Sequence, residues 1–489
     1  MSNYLFVVDN PARWSFQVPK VEVVAARKYL TDPAYSALRN VKVFNLCRSY
    51  RYQSAGYYVS LLAEARRHKP LPRIATIQDM KSLSLLRAVS GDLEEIMQKS
   101  LSHLQSDKFA LSIYFSRNVS KKYDLLARHL FNLFPAPLLR AHFVRTEEGW
   151  TLQNISPIPT SEIPEDHRET VAAMAKEYFD NRINLPTRKQ MRYDMAILVD
   201  KTDPTPPSDY KAIQKFQKAA ESLSIATEII SKDDYGSLAE YDALFIRTTT
   251  AVNDHTYRFA RRAETEGLVV IDDPESIVRC ANKVFLHELM ERNRIATPKT
   301  MIVHKDNAME VLQKIGMPCI LKQPDSSFSL GVKKVETVEQ YKEMIEVMLD
   351  KSELIIAQEY IPTEFDWRIG IIDQKPLYAC KYFMARKHWQ IINFQKEGDE
   401  RWGRADTIPV EMAPQRVVKM ALRAANLIGN GLYGVDIKVI KNNPVLIEVN
   451  DNPSIEAGIE DDMLRDTLYE RIMEVFLERM EKKREGRAD

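Results

Sequence analysis

The chain has 489 residues, 45% of them hydrophobic and 28% charged, with 69 Lys and Arg against 68 Asp and Glu. That length holds roughly two to four domains, and the composition is that of a globular protein. A net charge of +1 argues against a dedicated nucleic-acid binder, which normally carries a basic excess.

Four cysteines, Cys47, Cys280, Cys319 and Cys380, stand singly with neither zinc spacing nor a CxxC pair. They read as small buried hydrophobes in a reducing compartment. No run of about 18 apolar residues offers a membrane span, and the first residues lack the pattern of a signal peptide. A cytoplasmic protein that does not bind membranes is expected.

Residues 4–8 and 41–47 read as short buried strands. The second runs into a polar loop, residues 48–56, and then a helix with Tyr58, Leu61, Leu62 and Ala65 on one side. Arg48, Arg51 and the helix start could take an anion, or form an ordinary capped helix with solvent-facing arginines. Helical stretches at 81–104 and 121–134 follow, then two strands within 141–155 and a helix at 168–182. Residues 183–192, with Pro186 and several basic residues, read as a linker.

Strands at 193–200, 225–230, 241–247 and 268–271 alternate with helices at 210–222 and 254–266, which predicts a parallel α/β sheet. Arg247 ends the third strand before a Thr-rich loop. Ligands of open α/β sheets bind at carboxyl ends of strands, so Arg247 is a candidate for a substrate carboxylate, with a salt bridge as the competing role.

The last third concentrates the chemistry. A helix over 275–294 carries Lys283. The strand at 317–324 carries Lys322 among apolar residues, where a lysine needs an anionic partner. The Ser/Gly loop 325–331, with Ser327 and Ser329, can offer hydroxyls and N–H groups to phosphates. A strand at 354–361 ends in Gln358-Glu359-Tyr360-Ile361, and Asp366-Trp367-Arg368 follow. Another strand carries Lys381, then come Arg386, Lys387, His388 and Asn393. A helix at 412–428 precedes two strands joined by a turn at Asn442-Asn443-Pro444. The first holds Asp436; the second holds Glu448 and Asn450, two apart and so on one face. Two carboxylates and an amide oxygen suit Mg²⁺.

The order Lys283, Lys322 with its loop, Gln358-Glu359-Tyr360-Ile361, Asp366, then Asp436…Glu448-Val449-Asn450 resembles that of ATP-grasp enzymes, most of all the RimK-like carboxylate–amine ligases. The likeness covers roughly residues 193–480, and the N-terminal third resembles the RLAN domain found ahead of some of them. The resemblance implies an ATP-grasp domain (276–480) preceded by a Rossmann-like pre-ATP-grasp domain (193–275) and an extra N-terminal α/β domain (1–185). It implies an ADP-forming acid–amino-acid ligase that uses ATP and Mg²⁺, two ions being expected and Mn²⁺ able to substitute. The substrate would be an amino acid, a small peptide or a protein C-terminus. Lys283, Lys322, Ser327 and Ser329 would contact phosphates. Glu359 and Tyr360 would receive adenine, and Asp366 would face ribose. Asp436, Glu448 and Asn450 would hold the metal. Arg368 and Lys381 would be catalytic, with Arg247 and Asn393 on the substrate. The pattern departs from the family at 381–406, where an Arg-rich strand is replaced by Lys381-Tyr382-Phe383-Met384. An ATP-grasp kinase and a non-catalytic ATP-binding module are the alternatives, and a homo-oligomer is expected.

Overall fold

The computed structural model describes residues 4–14, 17–39, 41–82, 86, 93–147, 149–183, 191–325, 331–386, 388–392, 396 and 401–485. The chain divides into two compact units, Met1–Tyr193 with Asp233–Tyr241, and Asp194–Lys232 with Asp242–Asp489.

The first unit holds two sheets. Strands Val21–Ala25, Tyr4–Val8, Lys42–Asn45 and Lys69–Leu71 lie side by side in that order, all parallel. A three-stranded antiparallel sheet is made of Lys108–Tyr114, Leu138–Thr146 and Gly149–Pro157. Inward residues of both sheets and of the helix Arg168–Ile183 share one core, in which the rings of Phe44 and Phe179 lie 4.8 Å apart. The Ser54 hydroxyl caps the helix Ala55–Ala65, accepting from the Tyr57 N–H. Most of the expected linker, residues 184–190, lies outside the described residues.

The second unit has three sheets. The first is parallel, in the order Val269–Ile271, Ala243–Ile246, Tyr193–Leu198, Ile225–Ile230. Its helices are Tyr210–Ser222 and His255–Thr265, each capped by an aspartate side chain, Asp209 or Asp254. The last helix of the chain, Asp466–Glu485, returns to this layer: Tyr469 packs on Phe216 at 4.7 Å and Phe476 on Phe245 at 5.3 Å. The layer is therefore discontinuous in sequence, which a contiguous 193–275 segment does not convey.

The other two sheets are antiparallel. One orders Thr300–Val303, Ile355–Glu359, Cys319–Lys322 and Val332–Val335. The other orders Ala405–Ile408, Lys375–Phe383, Phe365–Ile372, Leu432–Ile440 and Asn443–Asn450. One face of this five-stranded sheet, with Trp367, Ile369, Val435 and Ile437, shares a core with Ala421, Ala424 and Ala425 of the helix Gln415–Ile428. Each such fully buried large side chain contributes roughly 1.5–3 kcal/mol. The opposite face carries Asp366, Arg368, Asp436 and Lys438.

Two local features differ from the sequence reading. The expected helix 275–294 is two helices, Pro274–Ala281 and Lys283–Arg292, because Asn282 takes an extended conformation between them. Its side-chain oxygen accepts from the N–H groups of Val284 and Phe285, which are among the orphan donors of a new helix start. The final hairpin turns one residue earlier than expected. Lys441 and Asn442 have φ of 47° and 69°, as a two-residue primed turn requires, and Asn443 and Pro444 already belong to the return strand.

Candidate active site

The polar face of the five-stranded sheet lines a cavity of about 1080 Å³ within the second unit. Strand alternation decides which side chains reach it. Asp436 stands directly opposite Glu448, and Gly434 opposite Asn450, so Asp436, Glu448 and Asn450 share one face. A one-residue bulge at Ile447 makes this so. Counting back from the turn, Ile440 pairs with Asn443 and Ile437 with Leu446, but Asp436 pairs with Glu448. Were Ile447 kept in the ladder opposite Asp436, Glu448 would fall opposite Val435 and point to the other face. Gly434 has a second role: a Cβ there would stand 2.7 Å from the Pro453 Cβ, so only glycine lets the following loop fold back over the strand.

The charges are matched in pairs. Arg368 forks onto Asp436 through two hydrogen bonds of 2.7 Å, the strong bidentate arrangement. Asn450 Nδ2 donates to Asp436 Oδ2 at 3.2 Å. Lys283 Nζ lies 3.1 Å from Glu448 Oε1. Lys438 Nζ donates to Asp366 at 2.7 Å and to Thr363 at 2.6 Å. Lys283 is placed by its backbone, since its N–H donates to the Pro324 carbonyl at 3.0 Å and Asn282 Nδ2 to Asp325 at 2.9 Å. That clasp ties the start of its helix to the end of the Lys322 strand.

Electrostatics follow from burial and this pairing. Burial raises the Asp436 carboxyl and Arg368 pulls it back, while Arg368 itself is held charged, well above its ordinary range. Glu448 is also buried, but Lys283 and Lys322 outweigh that and leave it below its ordinary value. Burial pushes Lys322 down to about 8, with Lys283 and Lys438 adding to the effect. Around this patch four cations (Lys283, Lys322, Arg368, Lys438) meet three carboxylates (Asp366, Asp436, Glu448), leaving one net positive charge. A polyphosphate carrying a divalent ion suits such a surface.

The sequence candidates distribute as follows. Lys283, Lys322, Glu359, Tyr360, Asp366, Arg368, Asp436, Glu448 and Asn450 all line the cavity. Glu359 also holds the strand pair, its Oε1 accepting from the Lys299 N–H at 2.9 Å. Tyr360 has Lys334 Nζ 4.3 Å above its ring and Trp389 edge-on at 6.2 Å; with Ile320, Val332 and Trp402 they make an apolar, aromatic wall. Ser327, Ser329, Lys387 and Asn393 lie outside the described residues.

Two expectations are corrected. Lys381 pairs with Trp367 across the strands, whereas the cavity-facing Asp366 and Arg368 pair with Tyr382 and Cys380. Lys381 is therefore on the opposite face, with its Nζ 5.2 Å from the rings of both Phe365 and Trp367. Arg247 does not line the cavity. It is 0% exposed and donates to the Ser208 hydroxyl, the carbonyls of Pro207 and Pro453, and Asn452 Oδ1. Its guanidinium ties the loop before one helix to the loop after the Glu448 strand.

The sequence reading missed Lys438, Tyr382, Asp451, Glu456 and Glu460, all on the cavity wall. Lys438 was within reach, since it lies two residues from Asp436 on one strand and so on one face. Tyr382 required the register with the neighbouring strand.

Two antiparallel sheets flanking a cavity, with paired lysines and an Asp/Glu/Asn face, define an ATP-grasp protein. Residues 280–470 match the family model described as RimK-like ATP-grasp domain, and residues 26–174 the one described as RimK-like ATPgrasp N-terminal domain, RLAN. The chain is a RimK-like ATP-grasp ligase with an N-terminal RLAN domain. A protein of Vibrio vulnificus strain YJ016 named "Probable alpha-L-glutamate ligase" is 29% identical over 232 residues, covering 46% of this chain and 72% of that protein. One of the same name from Aliivibrio fischeri strain MJ11 is 25% identical over 283 residues, covering 57% and 90%. Among solved structures, D-alanine–D-alanine ligase of Bacillus anthracis is 16% identical with a TM-score of 0.47, covering 60% of this chain and 99% of that one.

Proposed function

We propose that the chain joins a carboxylate to an amine through an acyl phosphate, releasing ADP and phosphate, with an amino acid or small peptide among its substrates. The observation that carries this is the cavity face that sets Lys283, Lys322, Arg368 and Lys438 around Asp436, Glu448 and Asn450.

The donor set fits Mg²⁺: two carboxylates on one face and an amide beside them are hard oxygen ligands. Asp436 and Glu448 now lean on Arg368 and Lys283, so a bound cation would take over charge that these two residues presently balance. When bound, Mg-ATP supplies the phosphoryl group that converts a carboxylate into an acyl phosphate. The chain's own residues do the rest. Lys283 and Lys322 neutralise phosphate oxygens. Arg368, released from Asp436, is free to orient the substrate carboxylate or the phosphoryl group in transfer. Tyr360, Trp389 and Trp402 offer an apolar berth for adenine. The amine then attacks the acyl carbon, phosphate leaves, and an amide forms. A closed cavity keeps water from competing for the acyl phosphate.

An ADP-release screen of amino-acid and peptide pairs with Mg-ATP, with product masses read directly, tests this reading. A product heavier than its carboxylate partner by the amine minus one water is the expected result. Phosphorylated substrate as the final product would make the chain a kinase instead.

A further inference from the structure

The loop after the metal strand, residues 451–460, forms a cavity wall of a different character. Asp451, Glu456 and Glu460 all line it. The Glu460 carboxylate accepts from the Glu456 N–H at 2.7 Å and from the Tyr382 hydroxyl, so its place is fixed from two directions. Asp451 is 7% exposed, and its Oδ2 has no hydrogen-bond partner among the described residues. A buried carboxylate oxygen without a donor is costly and points to a donor brought by a ligand.

The nearby cations are already engaged. Lys283, Arg368 and Lys438 are paired with Glu448, Asp436 and Asp366. Arg404 is bonded to Asp406, with a side chain 69% exposed. Arg247 interacts with Glu460 electrostatically, but its N–H groups are spent on Ser208, Pro207, Asn452 and Pro453. Lys215 is bonded to Asp461. No salt bridge joins Glu456, Glu460 or Asp451 to any described Lys or Arg.

We propose that Glu456 and Glu460, with Asp451 at their edge, form the subsite that takes the amine substrate as its ammonium ion. This rests on the ligase reading above and assigns which wall receives the second substrate: a primary ammonium bound by carboxylates beside the acyl-transfer face. The wall offers an ammonium three carboxylates, and Tyr382 orients one of them. A group lacking positive charge would leave these oxygens buried and uncompensated.

The test separates binding from turnover. Calorimetry on the full chain with Mg-ADP present uses glycinamide and L-lysine as ammonium probes and N-acetylglycine as a probe without one. Glycinamide and L-lysine are expected to bind the wild type, and the Glu456→Gln/Glu460→Gln double variant to bind them at least tenfold more weakly. Glu456→Lys, a change at a half-exposed position, is expected to weaken both probes by at least as much, while Mg-ADP affinity reports that the fold is kept. Equal binding of the ammonium probes by all three proteins overturns the proposal. So does a wild type that binds N-acetylglycine but neither ammonium probe, or binds none of the three. In turnover, the amine KM should rise in the variants with the ATP KM unchanged. Amide formation with an unaltered amine KM would sink the subsite and leave the ligase reading intact. Ammonium binding without amide formation from any tested pair would do the reverse.

Discussion

Asp436 and Glu448 face each other across the final hairpin because Ile447 is one residue more than the ladder needs. Deleting Ile447 should give an unbroken ladder in which Glu448 follows Leu446 and still stands opposite Asp436, so the shared face should survive. ATP turnover is then expected to stay near the wild-type level, whereas Glu448→Ala should fall nearly to background. Circular dichroism should show the fold retained in Glu448→Ala, and ADP release gives the activity. A folded deletion variant as inactive as Glu448→Ala would mean that the bulge itself, beyond the pairing of Asp436 with Glu448, is needed at the proposed metal face.

Arg247 leads to a prediction about stability. Arg247→Ala would leave the Ser208 hydroxyl, Asn452 Oδ1 and the Pro207 and Pro453 carbonyls without their donor. Each buried unsatisfied group costs about 1–3 kcal/mol, so a loss of several kcal/mol is expected in urea unfolding. Arg247→Lys should rescue little, because one ammonium cannot span partners that a planar fork reaches together. A variant of unchanged stability but with a raised substrate KM would return Arg247 to the substrate role that its place at a strand end suggested.

Asn282 caps the helix that begins with Lys283, the residue proposed above to meet phosphate. Asn282→Ala removes the acceptor for the Val284 and Phe285 N–H groups and the bond to Asp325. A stability loss of about 1 kcal/mol is expected for the cap. The ATP KM should also rise several-fold, because Lys283 is the first residue of the capped helix. Asn282→Asp keeps the cap acceptor but sets a carboxylate against Asp325, so it should recover part of the helix stability and less of the ATP affinity. Equal KM values for all three proteins would show that Lys283 does not depend on its cap.

How much of this was legible follows from the range of the interactions. Strand periodicity marked the parallel layer and the shared face of Glu448 and Asn450, because alternation is local. The break at Asn282 falls inside a mixed apolar and polar stretch that reads as one helix, since a cap is visible in sequence only where the periodic pattern also stops. Nothing local separates Lys381 from Tyr382. Which of two neighbouring strand residues faces a cavity depends on pairing with Asp366 and Trp367, some fifteen residues away in the chain. The role of Arg247 needed Asn452 and Pro453, about 200 residues distant. Burial of Glu460 behind Tyr382 is likewise a tertiary fact with no local signature.

Glu460 gives a pH dependence whose sign can be stated. Burial raises its carboxyl from 4.5 to about 7, opposed by the hydrogen bond from Tyr382. The folded protein then holds a proton that the unfolded chain has released between pH 4.5 and about 7. Stability falls as pH rises through that window, and the cost is fully present above about 7. A shift of this size corresponds to roughly 3 kcal/mol, an upper bound since partial hydration would reduce it. Glu460→Gln cannot ionise, so relative to the wild type it should gain stability at pH 8 and lose that advantage toward pH 5. The groups that face Glu460, namely Tyr382, Glu456 and Arg247, keep their charge states across this range, apart from Glu456, which burial also raises. Urea titrations of both proteins at pH 5, 6.5 and 8 provide the check. Saturating glycinamide should narrow the gap at pH 8 by stabilising the ionised carboxylate of the wild type alone. A stability difference that does not vary with pH would show that Glu460 titrates in the folded chain as it does in water.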